Sequence, residues 1–320
     1  MATESPIVTN TVGRKPKGRR AVMATGRIIR MPDFIVVGPP RTATTWLDAI
    51  LRGHVGLPLN VKETHFFARN YQQGLMWYER HFLHCAAEPV VGEICAAYFE
   101  NPQARERIRT HIPNCKIICT LRDPVERLYS YYKLMRHNGR TELPFEEALV
   151  RHNQMMASSR YALHVRDWQM DFGSRNVLVV LNDDLQTDPQ AYLNSITDFI
   201  GIGRIEFREA VVASSKANSI DVAPRSARLA RSARQFRFWL GTRRMYRTQR
   251  LLTKAGIWQF CFGGGPAFPP LDPSVKWRLR DLLRPEVEML ENLLDRDLSN
   301  WKNVTTQAST AASCKITPAD

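Results

Sequence analysis

Asp33-Phe34-Ile35-Val36-Val37-Gly38 is a short apolar run that stops at a glycine, and from Thr44 to Arg52 the residues Trp46, Leu47, Ile50 and Leu51 share one helical face. A buried strand, a Gly-Pro-Pro turn and a helix in immediate succession constrain this chain more than any other feature. A strand apolar on both faces belongs inside a parallel sheet, with the following helix crossing back over it. The same unit aims backbone N–H groups and a positive helix end at whatever lies above the turn, an arrangement that binds phosphate. The pattern recurs. Lys116–Leu121 reads as a second buried strand, followed by a helix from Pro124 to about Arg136 with proline at its first position. Asn176 to Leu181 reads as a third strand, and Asp188-Pro189 opens another helix with a capping acid. A last helix is expected from Pro273 to about Arg296. The expected fold class is α/β, a P-loop-like parallel sheet flanked by helices on both faces, in a single domain over residues 33–301. A chain of 320 residues buries enough surface to hold such a core without disulfides.

The net charge of +14 is concentrated. Residues 5–32 carry seven basic side chains and no acid, and residues 222–271 carry ten and no acid, so the rest of the chain is close to neutral. Residues 1–32 are expected to be a disordered basic leader, 222–271 a basic C-terminal subdomain and 302–320 a loose tail. The near-neutral body and the lack of a groove-reading motif argue against specific nucleic-acid binding. Apolar runs such as Val177–Leu181 fall far short of the ~18–20 residues of a membrane span, and Met1–Asn10 is too polar for a signal peptide. The six cysteines, at 85, 95, 115, 119, 261 and 314, form no CxxC pair and no metal spacing with the eight histidines. They read as the reduced thiols of a cytoplasmic protein.

Three segments carry the chemistry. Laid over the nucleotide-binding pattern GxxxxGK(S/T), Gly38 and Thr45 match, but Ala43 replaces the second glycine and Thr44 replaces the lysine. The nearest cation is Arg41, so a kinase or ATPase loses its defining charge. If position 43 needs a positive φ, alanine strains the turn. In the second segment, Arg122 leaves a strand at the edge where ligands of open parallel sheets sit, and Ser130 follows two helical turns on. A planar guanidinium with a hydroxyl suits a phosphate monoester. Arg127, four residues after Asp123, reads as one half of a helix-surface ion pair. The third segment is Lys62-Glu63-Thr64-His65-Phe66-Phe67.

Together these segments resemble the sulfotransferases that use 3'-phosphoadenosine 5'-phosphosulfate. The phosphosulfate loop of that family, G-x-P-K/R-x-G-T-T-x-L, is matched at Gly38, Pro40, Arg41, Thr44, Thr45 and Leu47, with Ala43 as the departure. Its 3'-phosphate motif, L-R-D/N-P-x-x-R-x-x-S-x-Y, is matched from Leu121 to Tyr132. Lys62–Phe67, with Tyr71 and Trp77-Tyr78, is similar to a K-E-x-H-F-F segment of the heparan-sulfate-type and bacterial branch. There the glutamate is the general base, and the resemblance implies that role for Glu63. Gly92-Glu93-Ile94-Cys95 to Tyr98 is similar to the branch's G-E-K/A-T/S-P-x-Y, departing at Ile94 and Ala96. Weaker similarity runs on to Trp301. The resemblance implies a cofactor site of Arg41, Thr42, Ala43, Thr44, Thr45, Trp46, Arg122 and Ser130, with Arg225 added at the 3'-phosphate. It implies Lys62 and His65 on the acceptor side, and it calls for no metal, since the leaving group is already activated and arginines carry the charge. The implied reaction is in-line sulfuryl transfer to an acceptor hydroxyl, on a carbohydrate or a glycolipid, with a small-molecule alcohol also open.

Two rival readings stand beside it. A phosphate-loop kinase or NTPase would use Asp183 or Asp184 as its magnesium acid, and a basic adaptor on an anionic surface would need no pocket. Arg225, Arg228, Arg231, Arg234 and Arg237 recur every three residues, so on a helix they drift around the surface. That segment reads as a solvated helix with packed aromatics, as a site for an anionic acceptor, or as a peripheral contact with anionic membrane.

Overall fold

The computed structural model describes residues 20–22, 28–208 and 220–303. Among the described residues, six strands precede residue 182: β1 Arg20–Val22, β2 Ile28–Arg30, β3 Phe34–Val36, β4 Gly92–Ile94, β5 Lys116–Leu121 and β6 Val177–Leu181. The last four form one parallel sheet in the order β4-β3-β5-β6. Chain direction therefore switches between β3 and β5, and the crevice outside their carboxyl ends is where such sheets hold ligands. Residues alternate between faces as a pleat requires. Ile35, Val37, Ile117, Cys119 and Leu121 join one core, under the helices Tyr161–Phe172 and Pro273–Leu294. Phe34, Val36 and Ile118 join the other, under Thr44–Leu51 and Pro189–Ile200. Both faces are covered by helices.

The Asp188 cap read from the sequence is formed, and the structure adds a second at Asp123. Asp123 accepts from the N–H groups of Val125 and Glu126 ahead of the helix Pro124–His137, and Asp188 accepts from Ala191 N. Asp123 also pairs at 2.7 Å with Arg280 of the last helix, both side chains nearly buried, which pins that helix to the end of β5. The sequence shows no apolar run for β4, Gly92–Ile94.

Order begins earlier than the expected leader boundary. β2 pairs antiparallel with β1, and Met31 is 1% exposed in the core. Ile28-Ile29 is a β-branched pair that favours extended backbone. Residues 1–19 and 23–27 of the expected leader, and 304–320 of the expected tail, lie outside the described residues. Residues 222–271 are enclosed by β7 Val222–Pro224 and β8 Gly264–Ala267, which pair antiparallel around the helices Ala227–Thr242, Tyr246–Lys254 and Ile257–Phe262. Ala230, Ala233, Leu240, Trp258 and Phe262 give this unit its own small core. Among the described residues no helix is long and apolar enough to cross a membrane.

Candidate active site

The turn after β3 is tight because two strands exit side by side. A Cβ on Gly38 would lie 1.9 Å from Thr120 Oγ1 and 2.4 Å from the Thr120 carbonyl, so only glycine lets β3 pass β5 there. Thr42 Oγ1 donates to the Pro39 carbonyl at 2.8 Å and shares a 2.7 Å hydrogen bond with Thr120 Oγ1. Arg41 and Ala43 both take left-handed backbone, with φ of 79° and 64°. Position 43 does need a positive φ, and alanine holds it at a cost of roughly 1–2 kcal/mol. Thr44 and Trp46 are buried. The Trp46 ring packs at 5.6 Å from Tyr192 and 6.3 Å from Phe207, which leaves its backbone N–H as what it can offer a ligand.

Arg41 joins the first two motifs. Its Nε donates to Ser130 Oγ at 2.8 Å, across 89 residues of chain. Burial, and then the guanidinium of Arg122, lower the pKa of Arg41. Among the described residues no carboxylate lies within ion-pair distance of either arginine. Two neighbouring cations with no carboxylate in ion-pair reach among the described residues, beside a hydroxyl and a helix start, fit a strongly anionic ligand.

Arg127 corrects the sequence reading. It is 0% exposed rather than on the helix surface, and it donates to the Met155 carbonyl at 2.9 Å and to Ser159 Oγ. Asp123, its expected partner, is held by Arg280 instead. Arg225, just after β7, is exposed, donates to the Gly264 carbonyl at 3.3 Å and stacks 5.8 Å over Phe260. A Cβ on Gly264 would lie 2.2 Å from Arg225 Nε, so glycine makes room for that guanidinium. These contacts stay within the subdomain's own hairpin.

Lys62 supplies the ammonium that the loop itself lacks. Its Nζ donates to Thr44 Oγ1 at 2.9 Å and to Thr45 Oγ1 at 3.2 Å, at the first turn of the helix Thr44–Leu51. The structure thus sets Lys62 against the phosphate loop. Glu63 stands next to it, with Oε1 3.5 Å from Lys62 Nζ and Oε2 3.7 Å from His65 Nε2. Burial pushes the His65 imidazole down to about 4 despite the neighbouring Glu63, so it is neutral near pH 7. Cys95, at the end of β4, donates its thiol to Glu63 Oε2 at 3.8 Å and lies 3.6 Å from His65 Nδ1.

One functional residue has a weak sequence signal. Glu93 of β4 is 0% exposed and accepts from Tyr78 OH at 2.7 Å, Tyr98 OH at 3.1 Å, Thr64 N at 3.3 Å and Thr64 Oγ1. Burial raises its pKa, and these hydrogen bonds pull it back. The carboxylate anchors Thr64, and so fixes Glu63 and His65 on either side of it. Its sequence signals were an acid inside an apolar run and its place in the Gly92-Glu93 segment that resembles the branch's motif.

A cleft of about 540 Å³ opens over Glu63, lined by the 60–65 loop and by Arg234, Arg237 and Phe238 of the helix Ala227–Thr242. Glu63 is the only carboxylate among its described lining residues. Arg69 stacks 4.8 Å over Phe238 on the same cleft. The arginine series therefore divides. Arg234 and Arg237 face the cleft, Arg231 donates to the Gly139 carbonyl at 3.1 Å, and Arg228 is exposed. A carboxylate beside an open, cation-lined cleft can take a proton from the hydroxyl of an anionic molecule. The acids that a magnesium-dependent NTPase would need are engaged elsewhere: Asp184 pairs with Arg296, and Asp183 accepts from Trp301 Nε1 at 3.1 Å.

A family model described as a sulfotransferase domain matches residues 31–223. Human heparan sulfate glucosamine 3-O-sulfotransferase 3A1 is 29% identical over 206 residues, covering 61% of this chain and 50% of the relative. The bifunctional heparan sulfate N-deacetylase/N-sulfotransferase 1 of Caenorhabditis elegans is 26% identical over 196 residues, covering 55% of this chain and 23% of the relative. The chain thus spans half or less of the length of these curated relatives. A sulfotransferase crystal structure from Alicyclobacillus acidocaldarius superposes with a TM-score of 0.62 at 22% identity, covering 86% of this chain and 100% of that one, which shows a shared fold.

Proposed function

The chain belongs to the sulfotransferase domain family, and from that premise we propose that it moves a sulfuryl group from 3'-phosphoadenosine 5'-phosphosulfate to a hydroxyl of an anionic carbohydrate acceptor, with Glu63 as general base. The observation that carries this reading is the Lys62-Glu63 pair. The lysine lies across the hydroxyls of Thr44 and Thr45, while the adjacent carboxylate lines the acceptor cleft. Cofactor and acceptor would then meet between two neighbouring residues.

When bound, the cofactor supplies a sulfuryl group already activated for transfer. The backbone of Thr42 to Trp46 and the helix start cradle its 5'-phosphate end, with Lys62 adding the charge that position 44 lacks. Arg122 and Ser130 take the 3'-phosphate, and Arg41, hydrogen-bonded to Ser130, closes the site between the two ends. Arg225 would join from the hairpin β7-β8. Glu63 would accept the acceptor's proton as the new S–O bond forms and the bond from sulfur to the 5'-phosphate oxygen breaks, releasing adenosine 3',5'-bisphosphate. His65, neutral and beside Glu63, orients that carboxylate. Arg69, Arg234 and Arg237 hold the acceptor's negative groups, and Phe238 and Trp77 offer faces for a sugar ring. Lys62 and the arginines meet the developing charge, so this scheme calls for no metal. The outward side of the same helices exposes Phe236, Trp239, Leu251 and Phe260 among arginines, which supports a second proposed contact with anionic membrane.

Ligand-induced stabilisation tests the nucleotide half of the proposal. Adenosine 3',5'-bisphosphate should raise Tm by mass action, and ATP with magnesium should do so much less. An equal or larger shift with ATP would overturn it.

A further inference from the structure

Glu63, His65 and Cys95 are brought together from two loops, and the thiol has no part in the proposed transfer. Their ligand atoms all lie within 4.8 Å of one another. Cys95 Sγ is 3.8 Å from Glu63 Oε2 and 3.6 Å from His65 Nδ1, and Glu63 Oε2 is 3.7 Å from His65 Nε2. Tetrahedral zinc, with bonds of about 2.0–2.3 Å, sets its ligand atoms roughly 3.3–3.6 Å apart. The two histidine distances use different ring nitrogens and one ion takes only one of them, so the set closes around an ion when the side chains turn to bring three atoms now within 4.8 Å of one another to that spacing.

We infer that these three side chains form a site for a thiophilic divalent cation of the zinc type, which inhibits transfer by occupying Glu63. One sulfur, one imidazole nitrogen and one carboxylate oxygen select zinc over magnesium or calcium. The three ligands are held. Cys95 is buried, with its N–H on the Val36 carbonyl. His65 and Glu63 flank Thr64, which Glu93 anchors. Lys62 stays on Glu63 Oε1, leaving Oε2 toward the ion. Both Glu63 and His65 line the cleft, so the fourth position opens to water. On binding, the Zn–S bond replaces the thiol S–H and the proton leaves to solvent. Lys62 and Arg69 oppose a cation here, so the site is weaker than a structural zinc centre and folding does not depend on it.

Binding itself is independent of the proposed reaction, whereas inhibition rests on Glu63 as the base. The test titrates metal-free full-length protein with Co²⁺ and reads the thiolate-to-cobalt charge-transfer band, then displaces it with Zn²⁺. One equivalent of Co²⁺ should give the band. Cys95→Ser should lose it and weaken zinc by at least the roughly 10–100-fold that loss of an outer-shell partner alone costs. Cys85→Ser, which removes the thiol 3.2 Å from His84 Nε2, should keep it. Adenosine 3',5'-bisphosphate should stabilise every variant, showing that each is folded. Zinc should suppress wild-type transfer, and a chelator should restore it. No thiolate band in the wild type, or a band that survives Cys95→Ser and disappears in Cys85→Ser, would overturn the site. A band at Cys95 with unimpaired transfer would overturn the inhibition, and with it Glu63 as the base.

Discussion

Replacing Lys62 with methionine separates the two ends of the bound nucleotide. The side chain is 25% exposed, and its ammonium makes two hydroxyl hydrogen bonds, at 2.9 and 3.2 Å, and a loose 3.5 Å pair with Glu63. Methionine keeps an unbranched stem and drops the charge. With no ligand present, those contacts are worth no more than about 1 kcal/mol, because the pair is partly solvated and the hydroxyls can turn to water. With a phosphate above the loop, the lost contact is charge-assisted and worth about 1.5–3 kcal/mol, or roughly 10–150-fold in Kd. The ligand effect therefore exceeds the stability effect. Calorimetric titration with adenosine 3',5'-bisphosphate, adenosine 5'-monophosphate and adenosine 3'-monophosphate reads it. Lys62→Met should weaken the first two by that factor and leave the third within about threefold. Arg122→Ala should do the reverse, weakening the 3'-phosphate probes. A Lys62→Met protein that binds the bisphosphate like the wild type, or loses both monophosphates equally, would refute the placement of Lys62 at the 5' end.

Glu63→Gln keeps the shape and removes the base, so turnover should fall by about 10²–10⁴-fold while bisphosphate affinity stays within a few-fold. Near-wild-type transfer in that variant would move the search for the base to His65. Ala43→Gly should relieve the left-handed strain of roughly 1–2 kcal/mol and return about 0.4–1 kcal/mol to the unfolded chain's entropy, a net gain of about 0.5–1 kcal/mol in urea unfolding. Loss of stability there would mean that position 43 is not left-handed in solution. His65 is held near pKa 4 in the folded protein against about 6.5 unfolded. The unfolded chain binds more protons between those values, so stability should fall as pH drops from about 6.5 toward 4, by about 2 kcal/mol from this group at pH 5. His65→Gln should flatten the slope of unfolding free energy over that window, and an unchanged slope would show that the ring is not buried neutral.

What the sequence made legible was whatever depends on neighbours along the chain. β3, β5 and β6 are apolar runs bounded by turn residues, and the Asp188 cap follows from one residue type next to proline. Ala43 was recognisable as a misfit in its loop, although only the backbone shows that the position is left-handed. Arg127 was misread because four-residue spacing places it beside Asp123 without saying which face of the helix is buried. The true partner of Asp123 is Arg280, far along the chain in the last helix. Lys62 carried no mark that its ammonium would reach Thr44. Likewise, the 30 residues between His65 and Cys95 hide a contact made only when β4 lies against β3. β4 itself, Gly92–Ile94, carries a glycine and an acid and so shows no apolar run like that of β3.

The central claim is sulfuryl transfer at the cleft over Glu63. It is tested most directly by incubating the protein with 3'-phosphoadenosine 5'-phosphosulfate labelled in the sulfate and a panel of anionic saccharides with free hydroxyls. Label is expected on an acceptor hydroxyl, with one adenosine 3',5'-bisphosphate released per sulfate transferred, and both should be lost in Glu63→Gln. Phosphate transfer from labelled ATP in place of sulfate, or bisphosphate release with no label on any hydroxyl acceptor, would contradict it.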